Sequence, residues 1–166
     1  NKGIGSSFNT AVPLCKYDNV IFGFGYVPHE KSEIAKIYAL LGTTDLVTTY
    51  AIAQARPATR LFLSRMYVGF LNILFGNKMI YYNGSTIYPL AHLRTIEIYS
   101  ENIGVFSEVL IKLLNKGLSC EEVGLRHMNM PRSAASNGRK LKTIVNVLKT
   151  LAHLILAIHL RGGTRS

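Results

Sequence analysis

Between Val20 and Tyr50 the chain changes its apolar period twice, and this restricts its fold more than any other feature. Val20 to Phe24 is a short apolar run edged by Gly23 and Gly25, which reads as a buried strand. Residues 32–41 then place Ile34, Ile37, Tyr38 and Leu41 at helical spacing, with Ser32 as N-cap and Gly42 as the stop. Asp45 introduces a second strand, Leu46 to Tyr50. Strand, helix, strand is the order of a parallel sheet with crossover helices, so an α/β fold with a mainly parallel sheet is expected.

Beyond this unit, a helix is expected from Pro57, a favoured first helical position, to Gly76, and another over 104–116 ending at Gly117. Between them, Asn83-Gly84 separates Met79–Tyr82 from Ser85–Tyr88, the pattern of a type I′ hairpin. Residues 128–140 contain Pro131, Ser133, Ser136, Asn137 and Gly138 and read as a loop. The helix that follows is amphipathic, with Leu141, Ile144, Val145, Leu148, Leu151, Ala152 and Ile155 on one face and Lys142, Asn146, Lys149 and His153 on the other. It is too polar to span a bilayer, which takes about 20 predominantly apolar residues. An interfacial helix and a helix packed on its own domain both fit this pattern.

Charge is distributed unevenly. The net +10 arises from nineteen basic and nine acidic residues, and no acid follows Glu122. The last 44 residues hold eight of the basic side chains, Arg126, Arg132, Arg139, Lys140, Lys142, Lys149, Arg161 and Arg165. Such a segment favours an anionic partner, whether phosphate, acidic lipid or nucleic acid. Cys15 and Cys120 lack the spacing of a disulfide framework or a zinc site, which suits a reducing compartment.

The most chemically suggestive cluster is Arg56, Arg60, Ser64 and Arg65. Arg60 and Ser64 share one helix face, and Arg56 lies just ahead of the helix start. A helix N-terminus with arginines beside it suits phosphate, although a solvated basic face has the same composition. Glu108 stands alone in the apolar run Val105-Phe106-Ser107-Glu108, as a candidate general base or as an acid stabilised by the helix dipole. Asn1-Lys2-Gly3-Ile4-Gly5 is a glycine-bearing turn leading into a possible helix, without the Lys-Ser/Thr ending of a P-loop.

In order and spacing, these pieces resemble the family 2 glycosyltransferases, especially the dolichyl- and undecaprenyl-phosphate sugar transferases. The resemblance runs over about 145 residues. It takes in Asn1-Lys-Gly-Ile-Gly, Arg60…Ser64-Arg65…Leu71-Asn72…Phe75-Gly76, Asn83-Gly84…Ile87-Tyr88, Phe106…Glu108…Leu110…Lys112…Gly117, Glu122-Val123 and Pro131-Arg132…Ser136. It implies a partial GT-A, Rossmann-like domain over 1–127, a basic active-site loop over 128–140 and an amphipathic, membrane-interfacial helix over 141–161. The family's first strands, which bind base and ribose, would precede Asn1.

The resemblance further implies transfer of a sugar from a nucleotide-diphosphate sugar to a polyprenyl-phosphate or related lipid-linked acceptor, by a peripheral enzyme on the cytoplasmic face of a membrane. Arg56, Arg60, Ser64 and Arg65 would hold the acceptor phosphate. Asn1, Gly3, Gly5, Asn83, Gly84, Arg132 and Ser136 would face the donor, and Glu108 and Glu30 would be catalytic. A divalent metal, Mg²⁺ or Mn²⁺, is implied as cofactor. The sequence departs from the family where the metal carboxylates belong, reading Phe22-Gly23-Phe24-Gly25-Tyr26-Val27-Pro28-His29-Glu30, so Glu30, with Glu33 second, is the metal candidate. Two other readings of the charge and the degenerate metal motif are a basic nucleic-acid-binding protein and a catalytically dead, glycosyltransferase-like scaffold.

Overall fold

The computed structural model describes residues 3–22, 30–52 and 58–126, together with Ala152 and Ile155. The loop expected over 128–140 and nearly all of the final helix lie outside the described residues. Helix α1 (Ile4–Ala11) and a 3-10 turn (Val12–Leu14) lead to strand β1 (Asn19–Phe22), followed by α2 (Lys31–Tyr38) and β2 (Leu46–Ile52). Helix α3 (Ala58–Phe75), strand β3 (Thr86–Pro89), the single turn α4 (Leu90–Leu93), α5 (Gly104–Asn115) and β4 (Cys120–Arg126) complete the order.

The four strands form one sheet in the order β1-β3-β2-β4. β3 runs antiparallel to both β1 and β2, while β2 and β4 pair in parallel from Leu46↔Cys120 to Ile52↔Arg126. β1, β2 and β4 therefore point one way and β3 alone opposes them, so the sheet is mostly but not wholly parallel. The strand, helix, strand unit is present, but β3 is inserted between its two strands.

Side-chain alternation divides the sheet into two faces. Leu46 and Tyr88 join the main core with Phe8, Val12, Val68, Leu71, Phe75, Phe106, Val109 and Leu110, drawn from α1, the 3-10 turn, α3 and α5. Val47, Ile87, Val123 and Leu125 face the other way and pack on Ile37 of α2. α5 is buried at every position from Gly104 to Ile111, as expected for a helix that is apolar nearly all round. Where Leu46 and Tyr88 meet the core, Thr48 and Thr86 lie on the same face and bond hydroxyl to hydroxyl at 2.7 Å.

Gly76 and Gly117 end α3 and α5 with φ of 69° and 87°, the left-handed conformation that stops a helix at little cost for glycine. Three sequence expectations fail. α2 stops at Tyr38 and not at Leu41, and Gly42, with φ of 85°, lies in the turn that Thr43 N closes on Leu40 O. α2 has Glu30 rather than Ser32 at its N-cap. The hairpin around Asn83-Gly84 does not form either: β3 pairs with β1 and β2, and residues 79–82 form no strand. Side chains hold that stretch instead. The Asn72 amide accepts from Met79 N at 3.0 Å and donates to Met79 O at 2.8 Å, and the Glu122 carboxylate accepts from Ile80 N and Tyr81 N.

Candidate active site at the carboxyl ends of the strands

In an open α/β sheet, ligands bind beyond the carboxyl ends of the co-directional strands, where helix N-termini and loops converge. Here those ends are Phe22, Ile52 and Arg126. Because β3 runs the other way, its beginning and the Asn83-Gly84-Ser85 turn before it come to the same end. The N-termini of α2 and α3 follow β1 and β2 there.

The turn is fixed tightly to β2. A Cβ on Gly84 would lie 1.8 Å from the Thr49 carbonyl oxygen, so only glycine fits. This glycine serves close approach, not the positive φ that a type I′ turn demands, and that is why the hairpin expectation fails. Asn83 is oriented by two hydroxyls. Tyr67 on α3 donates to Ser107 Oγ at 3.1 Å, and Ser107 on α5 donates to Asn83 Oδ1 at 2.8 Å. With Oδ1 engaged, the Asn83 Nδ2 donors are the part of this side chain left for a ligand. Burial pushes the Tyr67 phenol up, partly offset by its bond to Ser107, so it stays a neutral donor.

α3 places Arg60, Ser64 and Arg65 in and just after its first turn, with Ser64 half-buried and Arg65 exposed. Arg56 lies outside the described residues, as do Asn1, Arg132 and Ser136.

Glu108 has a different setting. Its carboxylate accepts from Tyr99 N at 3.0 Å and Ser100 N at 2.8 Å and pairs with Lys112. Burial would raise its pKa, but Lys112 and the Ser100 and Tyr99 bonds outweigh burial and hold the carboxyl below its usual value. One turn on, Lys112 Nζ also reaches Glu97 O, and a further turn on Lys116 Nζ reaches Thr95 O. One face of α5 thus holds the segment 95–100. That segment in turn receives the N-terminus of α1: Gly5 N donates to Glu101 O at 3.0 Å. A Cβ on Gly5 would lie 1.8 Å from Ser100 O, and one on Gly3 would lie 2.3 Å from Glu101 O. Gly3 and Gly5 are therefore required by packing, whether or not they also meet a donor.

The acids beside the strand ends supply little for a metal. Glu33 Oε1 meets Lys36 Nζ at 2.6 Å, and Oε2 accepts from Arg126 N at 3.0 Å, binding α2 to the end of β4. Lys36, then the Arg126 N–H, holds the Glu33 carboxyl below its usual value. Glu30 is exposed and caps α2 through its backbone oxygen, which accepts from Glu33 N and Ile34 N. Among the described residues no three metal-ligating side chains converge. Glu30 alone does not make the multi-oxygen set that Mg²⁺ or Mn²⁺ requires, so the described residues do not fit the implied metal.

No protein-family model matches the sequence, and no curated protein matches it either. Solved structures do match. Glucosyl-3-phosphoglycerate synthase from Mycobacterium tuberculosis in complex with uridine diphosphate aligns over 92% of this chain with a TM-score of 0.66 at 16% identity. Two structures of the same enzyme with Mn²⁺, UDP-glucose and phosphoglyceric acid align over 92% of this chain with TM-scores of 0.64 and 0.67 at 18% and 17% identity. The fold is that of a partial GT-A glycosyltransferase domain. The chain spans about half of the synthase, 54% of it in the uridine diphosphate complex. The expected fold class thus stands.

Two strands were not read from periodicity: β3 as a central reversed strand, and β4. Among site residues, the sequence reading missed Tyr67 and Ser107. No local signal marks them, since they meet Asn83 only after α3 and α5 pack together.

Proposed function

We propose that this chain is the acceptor-side half of a glycosyltransferase that moves a sugar from a nucleotide-diphosphate sugar to a phosphate-bearing acceptor. The carrying observation is the Asn83-Gly84 turn, set against the end of β2 in a GT-A-type sheet and tied through Ser107 to Tyr67 on α3, the helix whose first two turns carry Arg60, Ser64 and Arg65. In this reading the Asn83 Nδ2 group binds the donor sugar. The arginines and Ser64 bind the acceptor phosphate, with Arg56, Arg132 and Ser136 adding to the two phosphate sites. The solved synthase structures carry UDP-glucose with phosphoglyceric acid, a small phosphate-bearing acceptor, which supports the donor class. The polyprenyl-phosphate acceptor and a peripheral position on the cytoplasmic face of a membrane rest on the sequence resemblance and on the basic C-terminal 44 residues.

The misfit of the metal site favours a second reading, in which the chain binds donor and acceptor without turnover. Both are tested by one set of assays. The protein is titrated with UDP-glucose with and without Mn²⁺, then assayed for transfer to polyprenyl phosphate and to 3-phosphoglycerate. Transfer to the lipid supports the first reading, and saturable binding without transfer to either supports the second. Absence of any nucleotide-sugar binding overturns both, and salt-sensitive binding of RNA or DNA in its place would install the nucleic-acid alternative.

A further inference from the structure

α3 is apolar on two opposite faces, and the core accounts for only one. Val68, Leu71 and Phe75 point into the main core. On the other side Phe62, Leu63, Met66, Phe70 and Ile73 are 63%, 65%, 57%, 50% and 87% exposed. At 100° per residue these five fall within one stripe about a hundred degrees wide, and from Phe62 to Ile73 it runs for about 17 Å along the helix. A helix that is apolar all round is ordinarily enclosed, and a continuous exposed patch of this kind marks an interaction surface.

The charge around the stripe selects its occupant. α3 contains Arg60 and Arg65 and no carboxylate, and Arg65 is exposed at the edge of the stripe. The whole chain carries +10, with no acid in its last 44 residues. Pairing two such stripes would bring two strongly cationic chains together, which like-charge repulsion opposes. An anionic bilayer reverses the sign of that term and accepts the apolar side chains, as for helices lying in the headgroup region. Among the described residues no helix is long and apolar enough to cross a membrane, so contact through this helix is lateral.

We infer that the exposed α3 stripe Phe62-Leu63-Met66-Phe70-Ile73 is a docking surface for an anionic phospholipid membrane, with α3 lying along the headgroup boundary. This deepens the membrane-acceptor part of the proposed function by naming the contact surface. Its test uses neither donor nor turnover, so the two readings fail separately.

The chain contains no tryptophan, so one introduced residue reports alone. Phe62→Trp and Ile73→Trp are placed on the stripe, and Tyr17→Trp, at a position 84% exposed ahead of β1, serves as control. The full chain is mixed with vesicles of phosphatidylglycerol and phosphatidylcholine, or of phosphatidylcholine alone, each with and without brominated acyl chains. The expected result is a blue shift and bromine quenching at positions 62 and 73 but not 17, stronger on the anionic vesicles. The exposed double substitution Leu63→Ser/Ile73→Ser should weaken vesicle binding about tenfold or more while leaving the circular dichroism unchanged. Three results overturn the inference: no vesicle binding, binding with positions 62 and 73 left in water, or a blue shift that follows protein concentration without lipid. The last would assign the stripe to a second copy of the chain.

Discussion

Glu108 and Lys112 lie one turn apart on α5 and form an ion pair inside the protein, with side chains only 2% and 11% exposed. The carboxylate also carries the backbone N–H groups of Tyr99 and Ser100. Removing the charge strands the ammonium and weakens both backbone bonds. Glu108→Gln should therefore cost about 3 kcal/mol in urea unfolding, and Lys112→Met a comparable amount. A loss below about 1 kcal/mol for both variants would show that the pair does not anchor the 95–100 segment.

Glu108 and Glu122 predict opposite pH trends. Glu108 is held below the usual value of 4.5, so its contribution is complete above that pH and is lost as pH falls through its folded value. Burial raises Glu122 above 4.5, against the opposing pull of the Ile80 and Tyr81 N–H groups, so the folded state takes up its proton first. Its contribution therefore falls as pH rises from 4.5 through the folded value. Urea midpoints measured at successive pH values should show a gentler acid loss for Glu108→Gln and a steeper one for Glu122→Gln. Parallel profiles for the two variants and the parent would refute the assignment.

Two glycines separate close approach from backbone conformation. Gly42 has φ of 85° with nothing near its missing Cβ, so Gly42→Ala should cost only about 1 kcal/mol of left-handed strain. Gly84→Ala drives a methyl into the Thr49 carbonyl and must displace β2 or the turn, at an expected cost of about 3 kcal/mol or more. Thermal unfolding of the two variants side by side decides this, and equal losses would contradict it.

Ser107→Ala removes the donor to Asn83 Oδ1 and leaves the rest of α5 in place. If Asn83 meets the donor sugar, UDP-glucose binding should weaken about fivefold, the equivalent of one hydrogen bond near 1 kcal/mol, with little change in unfolding temperature. Tyr67→Phe should act in the same direction and more weakly. Calorimetric titration checks both, and unchanged affinity would remove Asn83 from the donor site.

Two helix ends were legible because their cause is local: Gly76 and Gly117 each follow an apolar periodic run, and each adopts the positive φ that this position suggests. Gly42 has the same positive φ, but it lies in a turn beyond the end of α2 at Tyr38. β2 was legible as an apolar run for the same reason. β4 was not, since Cys-Glu-Glu-Val-Gly-Leu-Arg places two acids in a strand, and one of them, Glu122, serves the 80–81 backbone across 41 residues. Asn83-Gly84 misled because glycine has two uses, and sequence alone does not separate positive φ from a missing Cβ. The i, i+4 spacing of Glu108 and Lys112 was visible, but their work on residues 95–100 depends on a segment with no periodic signal.

The parallel ladder joins Leu46 to Cys120, 74 residues apart in sequence, and at its start Asp45 Oδ2 accepts from Ser119 N at 2.7 Å and Ser119 Oγ at 2.6 Å. A nascent chain therefore leaves one edge of β2, a strand buried over its first four residues, unpaired throughout the synthesis of α3, β3 and α5. Closure of so long a loop is entropically slow, and during that interval β2 is free to recruit strands from other chains. The Asp45–Ser119 contact marks the moment at which that risk ends, which makes a pair remote from the candidate site a determinant of how much protein a cell recovers in soluble form.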